Sequence, residues 1–201
     1  MTAHARREYL IARALCRTVL SRYAGVNPAD WRFLPNPHGR PEIAGPPARS
    51  RLRFNLSGTR GLAACVVTLE AAAGIDVEDT TLERPSDGIA DRFFSPSEAR
   101  ALSGLEPARR RARFLEYWTL KESYIKARGE GLAIPLDRFA FHLDVGSRIR
   151  VSFAPELADE PGGWQFNLLR PTARHLLALG VRRAAEAEVK ITLRETVPLR
   201  R

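Results

Sequence analysis

Residues 109–127, RRRARFLEYWTLKESYIKA, predict the longest helix of the chain, ending near Gly129. Trp118, Tyr124 and Ile125 make this a mostly buried helix, so the remaining elements must fold around it. Glu122 and Lys126 stand four residues apart and share a face. On an exposed helix that pair is a common surface contact worth about 0.2–0.5 kcal/mol. On a buried helix a charged pair needs a reason.

The flanking sequence supplies strands on both sides of this helix. Before it, residues 6–22 place Leu10, Ala14, Leu15 and Val19 at helical spacing among arginines, which predicts an amphipathic helix. Residues 25–50 hold Pro28, Pro35, Pro37, Pro41, Pro46 and Pro47 and are expected to be irregular. Strands are predicted at 52–56, 62–69 and 74–78, the last two as an antiparallel pair. Ser95-Pro96-Ser97-Glu98 is a helix start with a serine cap, proline in the first turn and a following acid. Strand signals return at 139–143, 148–153, 164–169, 175–182 and 188–194. FNL occurs at 54–56 and again at 166–168, each time ahead of a strand-like run. Two lobes of similar plan, meeting at a ligand-binding cleft, account for that echo.

Composition narrows the function. With hydrophobic types at 44% and charged types at 27%, the 201 residues suit an ordinary globular protein of one domain or two small lobes. No apolar run approaches the roughly 20 residues that span a bilayer. Basic residues precede apolar ones at the start, but Arg13 and Arg17 interrupt them, so no signal peptide and a cytoplasmic location are expected. Cys16 and Cys65 lie among apolar neighbours and read as small core residues rather than a disulfide. The formal charge of +9 favours an acidic partner: nucleic acid, a phosphorylated ligand or an acidic protein. The cluster Arg109, Arg110, Arg111 and Arg113 is equally readable as a solvated helix face. No zinc-finger spacing, helix-turn-helix or RNP-like strand is visible, and His4, His38, His142 and His175 are scattered. A nucleic-acid-binding protein is therefore the weaker alternative, and no nucleic-acid or membrane partner is expected.

The chemistry concentrates at Gly74-Ile75-Asp76-Val77-Glu78. On a strand, Asp76 and Glu78 point to one face while Ile75 and Val77 point to the other. Two adjacent carboxylates repel unless a cation or protons intervene. With a third acidic ligand they suit Mg²⁺, which completes its shell with waters and substrate phosphates. An isolated D-x-E is also found as a polar strand end with two solvated acids.

FNLSGTRG at 54–61, GIDVE at 74–78, RFFSPSE at 92–98 and WTLKESYIKARGEGL at 118–132 resemble, in order and spacing, the motif series of Sfp-type 4′-phosphopantetheinyl transferases. The similarity runs from about residue 6 to about 140, with the remainder alike in pattern only. It implies an α+β fold of two pseudo-symmetric lobes, each a small antiparallel sheet with a long helix. The lobes would be 1–86 and 87–201, the first without the family's usual first strand, with coenzyme A bound in the cleft between them. By the same resemblance Asp76, Glu78 and Glu122 would hold Mg²⁺. Glu122 would also accept the proton of a carrier-protein serine, and Lys126 would stabilise or protonate the departing adenosine 3′,5′-bisphosphate. Gly39-Arg40-Pro41 resembles a turn whose basic residue contacts coenzyme A phosphate, and Ser57 falls on a coenzyme A-contacting serine. Asp76 and Lys126 would touch coenzyme A as well. Phe93 and Phe94 read by default as core residues, though by the resemblance their segment borders the carrier-docking surface of relatives. The implied partners are coenzyme A and an apo acyl or peptidyl carrier protein of fatty-acid, polyketide or peptide-synthetase type, with the chain acting as a monomer.

Two departures bear on this resemblance. Gly58 stands where the family has a histidine that helps hold the 3′-phosphate of coenzyme A; Arg60, two residues on, is the candidate substitute. The stretch that precedes the first helix in relatives is largely missing. Both features support an alternative, a family member that binds coenzyme A or carrier protein without efficient transfer.

Overall fold

The computed structural model describes residues 3–46, 51–82, 88–144, 146, 148–184 and 188–199. Two helices of 22 residues organise it: α1, Ala3–Ala24, and α4, Pro107–Arg128. Between them lie the hairpin β1 (Arg32–Pro35) and β2 (Pro41–Gly45), the hairpin β3 (Leu52–Thr59) and β4 (Leu62–Leu69), and strand β5 (Ala73–Asp79). The short helices α2 (Ile89–Phe93) and α3 (Pro96–Ser103) lead into α4, and β6 (Phe139–His142), β7 (Arg150–Phe153), β8 (Trp164–Thr172) and β9 (His175–Arg182) follow it. All strand pairs among the described residues are antiparallel, so the fold is α+β with small antiparallel sheets. The expected boundary between residues 86 and 87 lies outside the described residues.

Four expectations are corrected. Strand β4 pairs with β3, not with β5; β5 pairs with β9, Ala73↔Val181 through Asp79↔His175. All seven residues of β5 are buried, because α4 covers one face and the cluster of Ala64, Leu177 and Leu179 covers the other, with β9 along one edge and β3 along the other. The proline-rich stretch is not wholly irregular. Pro35 and Pro41 face each other at the closed end of β1–β2, where a missing N–H costs little. Asn36 builds the turn, its side-chain carbonyl accepting the N–H groups of His38 and Arg40. Residues 188–194 form no strand. They run as an extended strap in which Gln165 exchanges two hydrogen bonds with the Val189 backbone, at 3.0 and 2.7 Å. Phe94, which the resemblance puts beside a docking surface, is core: it is buried and stacks on Phe114 with ring centroids 5.2 Å apart.

Other expectations hold. Ser95 caps α3 in a reciprocal box with Glu98, and Gly129 ends α4 in the left-handed region at φ 72°. The two FNL copies each sit on the first strand of a hairpin, β3–β4 and β8–β9. Cys16 and Cys65 are free thiols in the cluster under α1 that also holds Leu20, Trp31 and Phe54.

Helix α4 lies directly on β5 and β9, and two glycines let it. A Cβ built on Gly74 would fall 2.0 Å from the Ser123 carbonyl oxygen and 2.3 Å from the Ala127 nitrogen. Gly180, paired with Gly74 across the sheet, would place a Cβ 2.7 Å from the Phe166 ring and 3.3 Å from Ser123 Oγ. Backbone thus meets backbone at this crossing. Beside it, Lys121 is fully buried, 2.7 Å from Glu98, and donates to the carbonyls of Leu136 and Phe139. Burial pushes its ammonium below the usual lysine range, opposed by the Glu98 charge. This pair locks α3 to α4 from within the core.

Candidate functional site

Since Gly74 faces α4, Asp76 and Glu78 face it too by strand alternation. Both carboxylates are buried, while Ile75 and Val77 pack on the opposite side with Ala64, Leu177 and Leu179. Lys126, half-buried on α4, brings its Nζ within 2.6 Å of Asp76 Oδ1 and 3.1 Å of Ser57 Oγ. Arg111, at the start of α4, donates to the carbonyls of Thr80 and Leu82, just past β5. The helix therefore runs antiparallel to β5, and half-buried Glu122, one turn before Lys126, lies toward the Glu78 end. Strand and helix thus bring Lys126 onto Asp76, with Glu78 on the same face of β5 and Glu122 one turn earlier on α4.

Strand β3 holds β5 from its other edge by side chains rather than by a backbone ladder. The N–H of Ile75 donates to Asn55 Oδ1 at 3.0 Å, and the N–H of Val77 donates to Ser57 Oγ at 3.2 Å. Asn55 and Ser57 are two apart on β3, and Ile75 and Val77 two apart on β5, so the two periods match. Ser57 Oγ also donates to Asp76 Oδ1 at 2.9 Å. The other oxygen, Asp76 Oδ2, is buried without a hydrogen-bond partner. Sequence reasoning overlooked Asn55; a polar residue on a strand two positions before Ser57 was the available signal.

The remaining site candidates are placed less centrally. Arg40 donates to the carbonyls of Lys126 and Ala127 and pairs with Glu42 at 2.8 Å, capping the C-terminal end of α4. Asn36 reinforces that clasp by donating to the Gly129 carbonyl. Arg60 pairs with buried Asp79 at 3.2 Å and donates to Thr81 Oγ1. The hydrogen bond from Thr81, with the neighbouring Arg174 and Arg60, brings the Asp79 carboxyl down to about 2 despite its burial. Gly58 has no conformational need to be glycine, since a Cβ there would meet only the Leu62 carbonyl at 3.8 Å. Phe93 is exposed, with the Arg92 guanidinium 5.3 Å from its ring centre. Among the described residues no group of three or more His, Cys, Asp or Glu side chains is close enough to hold a metal ion unaided.

Residues 72–179, which carry β5, α4, β8 and part of β9, match the 4′-phosphopantetheinyl transferase superfamily, and the chain belongs to that superfamily. It is 37% identical over 128 residues to 4′-phosphopantetheinyl transferase HetI of Nostoc sp., covering 64% of this chain and 54% of that protein. To 4′-phosphopantetheinyl transferase Sfp of Bacillus subtilis it is 33% identical over 143 residues, covering 71% of this chain and 61% of that protein. The chain thus spans a little over half the length of these relatives. Holo-[acyl-carrier-protein] synthase of Thermotoga maritima is a solved structure similar to it, at TM-score 0.44 and 26% identity, covering 56% of this chain and 63% of that one. No helix among the described residues is long and apolar enough to cross a membrane.

Proposed function

We propose that this protein transfers the 4′-phosphopantetheine group of coenzyme A to a serine of an apo acyl or peptidyl carrier protein, with Mg²⁺ as cofactor. The observation that carries this reading is Lys126 set 2.6 Å from Asp76 across the crossing of β5 and α4, in a chain of this superfamily. The donor set fits Mg²⁺. Carboxylate oxygens are hard ligands, and Asp76 Oδ2 is buried with its acceptor capacity unused.

Asp76, Glu78 and Glu122 would hold the ion, which when bound draws charge from the pyrophosphate of coenzyme A. Glu122 accepts the proton of the carrier serine. The serine oxygen then bonds to the β-phosphorus as the bond to adenosine 3′,5′-bisphosphate breaks, and Lys126 stabilises the negative charge on that leaving group. Phe93, exposed with the Arg92 guanidinium over its ring, offers an apolar and basic surface suited to an acidic carrier helix. Arg40 and Arg60 are already engaged at the end of α4 and at Asp79, so a phosphate contact from either would exchange or share those bonds.

The test is intact-mass spectrometry of an apo carrier incubated with the protein, coenzyme A and Mg²⁺. A gain of one phosphopantetheine is expected. It should disappear with EDTA, and with Glu122→Ala its rate should fall by roughly 10²-fold or more, as for loss of a general base. No gain on any carrier type from a folded sample would reject the transferase reading. Gly58 and the tethering of Arg60 to Asp79 favour the second reading, a binder of coenzyme A or carrier without efficient transfer. That reading expects coenzyme A or carrier affinity with no mass gain.

A further inference from the structure

A serine hydroxyl has one proton to donate and two lone pairs that accept. At Ser57 all three are used. Oγ donates to Asp76 Oδ1 at 2.9 Å, accepts the Val77 N–H at 3.2 Å and accepts from Lys126 Nζ at 3.1 Å. The side chain is buried, and its bond to Val77 references it to the strand that carries Asp76. A hydroxyl saturated in this way has nothing to offer a phosphate oxygen. What it does instead is visible at Asp76. Oδ1 takes both the Ser57 hydroxyl and the Lys126 ammonium, while Oδ2 takes neither and stays buried without a partner.

We propose that Ser57 is a positioning residue rather than a coenzyme A contact. It clamps Oδ1 of Asp76, holds Lys126 on that same oxygen, and so presents Oδ2 to a divalent cation. The carboxylate is thereby divided between a held oxygen and an offered one. Without the clamp, Lys126 and the rotating carboxylate would compete for both oxygens, and the cation would have to displace the lysine. This inference rests on the transferase reading, because it presumes a cation and coenzyme A at the site.

The test uses two binding measurements that do not depend on turnover. Coenzyme A affinity is measured calorimetrically in EDTA, and Mn²⁺ affinity is measured by electron paramagnetic resonance with coenzyme A saturating. For Ser57→Ala, coenzyme A affinity in EDTA should match wild type, while Mn²⁺ affinity should fall about 10-fold or more, as for other outer-shell partners of metal ligands. Ser57→Thr, which keeps the hydroxyl, should recover most of the Mn²⁺ affinity. If Ser57→Ala does not fold, judged by circular dichroism, Ser57→Cys makes the same comparison with a weaker donor and acceptor. Unchanged Mn²⁺ affinity in the variant overturns the positioning role. So does weakened coenzyme A binding in EDTA, which would return Ser57 to the ligand contacts. Wild-type protein that binds neither coenzyme A nor Mn²⁺ overturns the transferase reading along with the inference.

Discussion

Asp159 gathers more donors than any other carboxylate described above. The Tyr124 hydroxyl and Arg128 reach Oδ2 at 2.9 and 3.0 Å; the Trp164 ring N–H, Arg182 and the Glu160 N–H reach Oδ1. It is 1% exposed, and burial by itself would raise its pKa. The donors from Trp164 and Tyr124, the Glu160 N–H and the Arg182 charge outweigh that and hold the carboxyl below its ordinary value. An acid depressed in the folded state contributes stability that is present above its unfolded pKa, about 3.9, and is lost as pH falls below that value. Asp159→Asn should therefore destabilise the protein at pH 7 by roughly 3 kcal/mol, the scale of breaking a buried pair. The gap in urea midpoint between variant and wild type should narrow as pH falls from about 4 toward the folded-state value. A gap that is constant from pH 7 to acid would mean that the charge of Asp159 does not matter. Tyr124 feels the other side of the same contact: burial first, then the Asp159 carboxylate, pushes its hydroxyl well above the usual tyrosine range.

At the scale of elements, the decisive contact is α4 on β5. Ser123 and Ala127 offer backbone atoms to Gly74, and no rotamer of an added methyl avoids them. Gly74→Ala must push α4 away from the sheet. The expected cost is about 3 kcal/mol, the upper end for overpacking, since a helix rather than a side chain has to yield. The same shift would part Lys126 from Asp76 and Ser57, so under the proposed transferase function carrier modification should fall more steeply than stability alone explains. A Gly74→Ala protein with wild-type melting temperature and wild-type rate would show that this approach is not what aligns the site. The end of α4 is held independently. Asn36 and Arg40, from the turn between β1 and β2, bond to the carbonyls of Gly129, Lys126 and Ala127. A hairpin early in the chain thus caps the helix that carries Glu122 and Lys126.

For the whole molecule, the surplus of arginine is in good part structural. Arg17 donates to the carbonyls of Pro28, Ala29 and Trp31, Arg110 to Ser103 and Leu105, Arg113 to Leu143, and Arg174 to Arg60. A planar guanidinium can bridge two or three carbonyls where a lysine ammonium offers less directional donors. The strap at 188–199 joins the two ends of the fold. Val189 and Ile191 cover the cluster beside β5 and β9, Thr196 accepts from Arg22, and the Leu199 N–H donates to Thr18 on α1. Removing residues 188–201 should cost about 2–4 kcal/mol from the exposed aliphatics and lost hydrogen bonds. In a chain of this size that corresponds to a fall in Tm of roughly 5–15 °C by calorimetry. An unchanged Tm would mean that the strap only lies on the surface.

Local patterns were readable wherever a residue answers to its immediate neighbours. The alternation of Asp76 and Glu78 against Ile75 and Val77, the Ser95–Glu98 box, the helix ending at Gly129 and the ordered motifs that mark the superfamily all follow from spacing along the chain. What only the tertiary structure decided are the contacts between residues far apart in sequence. Strand β5 takes β9, far along the chain, as its backbone partner, while its sequence neighbour β4 pairs with β3 and β3 reaches the other edge of β5 through Asn55 and Ser57. Phe94 turned inward while Phe93 stayed out, a choice made by the cavity beside Phe114 and Tyr117. Ser57 turned to Asp76 because β3 was laid against the free edge of β5. Side-chain chemistry and spacing set which groups the site could contain; long-range packing, in which each buried N–H and carboxylate must find a partner, set which of them meet.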